Sequence, residues 1–352
     1  MRIKLIAAIL CIAIAGINKA VAQEATEQKV VLVTLDGFRW QELFTGADPA
    51  LIANKNYVQD TTGLKAEFWR PTSEARRKAL LPFIWNEVVN LGEIHGNRTL
   101  GSKVNLTNEM WFSYPGYNEI LTGKADDERI KSNAKIQNPN RTILEKINKT
   151  EAYKGKVAAF SSWDVFPFII NEERSGVPVN AAFDSAETLP LTDREVFLNQ
   201  LQKEIPSPWG SVRLDAFTHH YALEYLKKKH PSLVYIAYGE TDDFAHDGEY
   251  DAYLHSAHTT DAMLKELWDF IQSDPFYKDQ TTIIITTDHG RGTQPLDTWR
   301  SHGSDIKGAD ETWLIILGKG GAALGEEQSV EQLYPTRIVP LIEEILNGLP
   351  RN

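Results

Sequence analysis

The stretch VVLVTLDGFRW, residues 30–40, opens the reading of this 352-residue chain. Six apolar or β-branched residues run without a polar interruption and stop at Asp36 and Gly37. A run this short, apolar at every position, suits a strand buried on both faces. Four more runs share the character: KVAAF (156–160), LVYIAY (233–238), TIIITT (282–287) and TWLIIL (312–317). Helical patterns fall between them at 74–91, 141–148, 193–204, 215–229, 250–272 and 334–347. This alternation predicts an α/β fold, a mostly parallel central sheet with helices on both faces. Residues 40–72 and 165–192, rich in Asn, Asp, Pro and Thr, fit neither pattern and are expected as loop or cap inserts over one sheet edge.

Parallel sheets bind ligands beyond the carboxyl ends of their strands. Three of the five runs meet acid or imidazole there. Asp36 follows the first. GETDDFAHDG, with Asp242 and His246, follows the third, and Asp288-His289 follows the fourth, with His302 further on in SHGSD. Three carboxylates and three imidazoles gathered at one rim would repel or stand unpaired unless cations held them. Mixed His/Asp ligation suits zinc, with manganese or iron as alternatives. Six donors exceed what one ion needs, and two ions form a known clamp for displacement at phosphorus. Each residue also has a plainer reading. Asp36 is equally well a turn former, and Asp243 or Asp247 competes with its neighbours as the ligand. His95, His219, His220, His230, His255 and His258 read as structural or solvated, His255 and His258 least securely.

The first 22 residues have the pattern of an export signal. Arg2 and Lys4 precede an apolar stretch from Leu5 to Ala15, and Ala20-Val21-Ala22 forms a small-residue cleavage site. The run is short for a membrane anchor. A single domain over 23–352 in the periplasm or medium is therefore expected. Cys11, the sole cysteine, lies inside that segment, so the mature chain would hold neither disulfide nor thiolate metal site. Three basic residues and no acidic one would leave with it, taking the net charge from −11 to −14. That balance argues against nucleic acid as a bulk partner and still admits a small phosphorylated substrate whose charge is met locally. Oligomeric state is not written in the sequence.

FSYPGYNEILTG, residues 112–123, places Ser113 where a helix begins. A serine there is a favoured N-cap, and Pro115 suits the first turn. By themselves these residues favour the cap; the sharper reading is a nucleophile beside the positive helix end.

Taken in order, DGFR, S-Y-P with LTG, TDxxxH, DHG and HG resemble the alkaline phosphatase superfamily. The nearest branch is the type I phosphodiesterase/nucleotide pyrophosphatase group, over about Val30 to His302. The resemblance implies Ser113 as nucleophile. It implies one divalent ion on Asp242, His246 and His302, and another on Asp36, Asp288, His289 and the Ser113 oxygen. Asn133, twenty residues past the serine, would bind a phosphoryl oxygen, against the plainer reading of a turn residue in KSNAK. The Tyr114 to Gly116 amides are expected to help. Metal coordination activates a serine hydroxyl for in-line attack and a phosphoseryl intermediate. A sulfatase would need Arg where Tyr117 stands. Phosphomonoesterases of this core carry Lys-x-Arg after the second strand, where this chain has Ser162, Trp163 and Asp164. The departure leans toward a diester, with Arg39 or Arg174 as possible substitute cations. A catalytically inactive metal-binding protein is the rival of another class.

Overall fold

The computed structural model describes residues 27–348. The expected export signal and Cys11 lie outside them. Eleven strands are β1 (Lys29–Leu35), β2 (Gly92–His95), β3 (Lys103–Asn105), β4 (Val157–Ser161), β5 (Val179–Ala181), β6 (Leu233–Tyr238), β7 (Thr281–Thr286), β8 (Glu311–Thr312), β9 (Leu314–Gly318), β10 (Gly325–Glu326) and β11 (Gln332–Leu333). Eight form one sheet in the order β10-β2-β9-β7-β1-β6-β4-β5, and β11-β3-β8 form a small second one. β1 is central, parallel to β6 on one side and to β7 on the other. β4 and β5 continue the parallel run.

Alternation along β1 explains the layers. Val31, Val33 and Leu35 enter one apolar cluster, with side chains from the helices Asp215–Lys229 and Tyr250–Ser273. Val30 and Leu32 enter the other, with the helices Ser113–Thr122, Ile143–Asn148 and Ile338–Leu346. Successive strand side chains point to opposite faces, so an all-apolar strand requires a helical layer on each. Among the described residues no helix is long and apolar enough to cross a membrane.

Two details depart from the sequence reading. The run 312–317 yields β9, which pairs antiparallel with both β7 and β2. Composition does not separate the two directions in a buried strand. Direction is set by the connection: beyond β7 the chain remains at one rim through residues 287–313 and re-enters the sheet without crossing it. The helical pattern 74–91 breaks after the helix Ser73–Leu80, at Leu81-Pro82, and resumes as a π-turn over Ile84–Val88, because proline cannot continue a helix hydrogen-bond ladder. The segment 165–192 contains two short helices and the edge strand β5, and 40–72 contains the helices Trp40–Thr45 and Thr61–Phe68.

Candidate metal centre and nucleophile

β1, β6 and β7 end at the same rim, because they are parallel neighbours. Asp36 therefore meets the Asp288-His289 pair and, through the helix Glu240–Asp247, Asp242 and His246. His302 arrives from the loop after the 3-10 turn Leu296–Arg300. Two donor groups result: Asp36, Asp288 and His289, all buried, and Asp242, His289 and His302. His246 joins the second, its Nε2 lying 2.9 Å from His302 Nε2 and 3.2 Å from Asp242 Oδ2.

The chemistry of this set fits a cation. Asp36 Oδ1, Asp288 Oδ2 and His289 Nε2 are buried without a hydrogen-bond partner. Yet they lie close together, His289 Nε2 being 3.3 Å from Asp36 Oδ1 and 3.5 Å from Asp288 Oδ2. Orphaned polar atoms of this kind are rare and costly in a folded interior. His289 Nδ1 donates to the Gly290 carbonyl at 2.9 Å, which leaves Nε2 as a lone pair, the tautomer a metal ligand requires.

Electrostatics agree. Burial, then the Asp242 charge, push Asp36 well above the ordinary carboxylate range, and burial with Asp36 does the same to Asp288. Burial also works against the Asp242 charge, but the Arg291 guanidinium and His246 overcome it and hold that carboxyl well below its usual value. Burial and His289 push His302 down to about 2.

Asp243 and Asp247 do not join the donors. Burial and the adjacent Asp242 raise Asp243 to about 9, and Asp247 accepts a hydrogen bond from Trp209 Nε1. The other six histidines have partners of their own: His95 with Glu93, His230 with Asp274, His255 with Glu67, and His258 with the Leu80 carbonyl. His219 and His220 converge with Glu266. There, however, Tyr238 and Glu266 satisfy His219, and the Arg194 guanidinium occupies His220 Nδ1.

Ser113 is the first residue of the helix Ser113–Thr122 and is 4% exposed. Phe112 caps the helix, so the serine is no N-cap. The loop feeding it is pinned by buried Glu119, which accepts hydrogen bonds from the Thr107 and Asn108 amides. The helix presses onto the donor rim. A Cβ on Gly116 would stand 2.2 Å from the Asp288 carbonyl oxygen, so only glycine permits this approach. One residue on, the Tyr117 hydroxyl donates to Asp36 Oδ2 at 2.7 Å.

Asn133 lies beside the start of the Ser113 helix, its Oδ1 accepting the Tyr114 amide at 3.0 Å. That bond corrects one expectation. The Tyr114 N–H is committed to Asn133, the Gly116 N–H donates to the Phe112 carbonyl, and Pro115 has no N–H. The amides of 114–116 therefore do not form a cradle for oxygen. The Asn133 side chain keeps its amino group as a hydrogen-bond donor beside Ser113.

Arg291 was not foreseen, and neither was the Lys135–Asp164 ion pair at 2.6 Å. The only sequence signal for Arg291 was a charged residue two places past the DHG histidine. Both possible substitute cations prove engaged. Arg39 is buried against Glu42 and the Gly292 carbonyl, and Arg174 is held by Glu145 and the Asn138 and Asn140 carbonyls.

A family model described as the metalloenzyme superfamily matches residues 190–305, the stretch that carries Asp242, His246, Asp288, His289 and His302. No curated protein matches the chain significantly. Among solved structures, the lipoteichoic acid synthase LtaP of Listeria monocytogenes is similar at TM-score 0.58 and 12% identity, over 93% of this chain and 74% of that one. An inactive variant of murine ectonucleotide pyrophosphatase/phosphodiesterase 5 in complex with AMP is similar at 0.53 and 15%, over 93% and 97%. A putative sulfatase of Bacteroides thetaiotaomicron is similar at 0.55 and 12%, over 93% and 72%. The fold is alkaline-phosphatase-like. Within it, the segment matching the metalloenzyme superfamily supplies most of a divalent-metal donor set.

Proposed function

We propose that this protein is an exported hydrolase of phosphate esters, carrying two divalent ions and acting through Ser113, with preference for diesters. Asp242, His246 and His302 would hold one ion, and Asp36, Asp288 and His289 the other, alongside the serine. Zinc suits these donors. The ions supply charge neutralisation at phosphorus and lower the pKa of a coordinated hydroxyl. Ser113 then forms a bond to phosphorus as the leaving alcohol departs, and water cleaves the phosphoseryl ester in a second displacement. The Asn133 amino group would donate to a phosphoryl oxygen. Tyr117 holds Asp36 in place and stands where a sulfatase would carry arginine, which favours phosphoryl over sulfuryl transfer.

The preference for diesters rests on one observation: among the described residues, the candidate cations Arg39, Arg174 and Lys135 are all committed to partners. Arg39 and Arg174 are consumed by internal carboxylates and carbonyls, and Lys135 is neutralised by Asp164. A monoester dianion would find less compensation than a diester monoanion.

Purified mature protein should hydrolyse bis(p-nitrophenyl) phosphate with a kcat/KM at least about tenfold above that for p-nitrophenyl phosphate, a difference of roughly 1.4 kcal/mol, and leave p-nitrophenyl sulfate essentially untouched. A ratio favouring the monoester overturns the diester preference. Sulfatase activity above both overturns phosphoryl transfer. Ser113→Ala should lower turnover by about a thousandfold or more and leave metal content unchanged. A fully active S113A protein sinks the mechanism.

A further inference from the structure

Arg291 is buried, 1% exposed, and belongs to none of the donor groups. Its guanidinium nevertheless reaches every chain segment that carries them. Nη2 donates to Asp242 Oδ1 and, at 3.1 Å, to the Asp242 carbonyl. Nε donates to the carbonyl of Gly37, next to Asp36, at 3.1 Å. Nη1 donates to the carbonyl of Arg300, two residues before His302, at 2.8 Å. Its own backbone follows His289 by two residues. A planar guanidinium offers donors in a fixed fork, so these bonds set the mutual positions of four chain segments, one of them the start of the helix Glu240–Asp247. Space around it is tight: a Cβ on Gly37 would stand 2.8 Å from Asp242 Oδ1 and 2.9 Å from Arg291 Nε.

Resting on the two-ion reading above, we propose that Arg291 is the positioning residue of the metal centre. Its bond to Oδ1 fixes the Asp242 carboxylate with Oδ1 toward His302 Nε2 at 3.7 Å and Oδ2 toward His246 Nε2 at 3.2 Å. Its charge offsets part of the carboxylate repulsion and holds the donors in register before an ion arrives. The two ion sites therefore depend on it unequally. Asp242, His246 and His302 rely on a direct bond from Arg291 to a donor carboxylate, whereas Asp36 and Asp288 are also held by Tyr117 and by the Gly37 amide.

Equilibrium dialysis of the full chain against Zn²⁺ tests this, with Co²⁺ absorption spectra reporting each site and circular dichroism and thermal unfolding reporting the fold. Wild type should bind two ions per chain. Arg291→Lys keeps the charge and loses the fork; Arg291→Gln loses the charge as well. Both should retain one ion at wild-type affinity and bind the second about 10- to 100-fold more weakly, the usual cost of removing a residue that orients a ligand. The Co²⁺ spectrum should change for that ion alone. Wild-type affinity at both sites in R291K overturns the proposal. So does an equal weakening of both ions together with a lowered unfolding temperature, which would mark Arg291 as a general structural residue. If R291Q fails to fold, R291K carries the decision. A wild-type chain that binds no Zn²⁺ overturns the two-ion reading itself, and the wild-type measurement separates that failure from the others.

Discussion

Tyr117 shows how much one side chain contributes at this site. It lies one helical turn beyond Ser113, packs edge-on against Phe166 with ring centroids 4.7 Å apart, and spends its hydroxyl on Asp36 Oδ2. Tyr117→Phe keeps the ring contact and leaves a buried carboxylate oxygen unsatisfied, a loss of about 1–3 kcal/mol in the metal-free protein. Zn²⁺ affinity should fall about tenfold, and a dialysis measurement showing no change would separate Tyr117 from the metal centre. The sequence marked position 117 only as lacking the arginine of a sulfatase. Its bond to Asp36, 81 residues away, depends on how the helix is set against β1. Gly116 is similar: its place in S-Y-P-G is visible, while its contact with the Asp288 carbonyl exists only after packing.

Among the elements, the break at Pro82 is repaired from another helix. Asp261, on the helix Tyr250–Ser273, accepts the amides of Phe83 at 2.7 Å and Ile84 at 3.0 Å, capping the turn that restarts there. Burial raises its carboxyl to about 7. The folded state thus holds a proton there that the unfolded chain releases near pH 4. Stability should fall as pH rises from about 4 to 7, since the folded state binds more protons across that window. Asp261→Asn cannot ionise and should flatten this part of the profile, as urea midpoints between pH 4 and 8 would show. Equal slopes for the two proteins would refute the assignment. The helices 193–204 and 215–229 coincide with their sequence periodicity, because local pattern and tertiary environment agree. The helix at 74–91 does not, because its partner cap is 178 residues away.

For the whole molecule, the parallel core β7-β1-β6-β4 decides where chemistry is possible. Four loops meet at its rim, and the buried, orphaned donors there make the metal-free protein carry unpaired polar groups. Divalent metal should therefore stabilise the fold by about 2.7 kcal/mol per independent site at a hundredfold excess over Kd, and chelator should lower the unfolding temperature by several degrees. The effect should grow with pH. Without an ion, raised Asp36 and Asp288 retain protons in the folded state, so stability falls as pH rises above about 4, whereas an ion requires both deprotonated. Thermal unfolding with and without Zn²⁺ at pH 5 and pH 8 reads this directly, and an equal increment at both would contradict it.

The α/β alternation, the strand ends that bear acid and imidazole, and the serine at a helix start are all legible in the chain alone. These are local features, encoded in short runs of neighbouring residues. Tertiary structure decided that β9 runs antiparallel, that Asp242 rather than Asp243 joins the donors, and that the 114–116 amides are committed elsewhere. It also decided that Arg39 and Arg174 are consumed and that Arg291 binds the rim together. Each of these depends on which strand lies beside which and on contacts between segments far apart in the chain. Such pairings follow from burying two apolar sheet faces at once, a constraint that no single stretch of sequence contains.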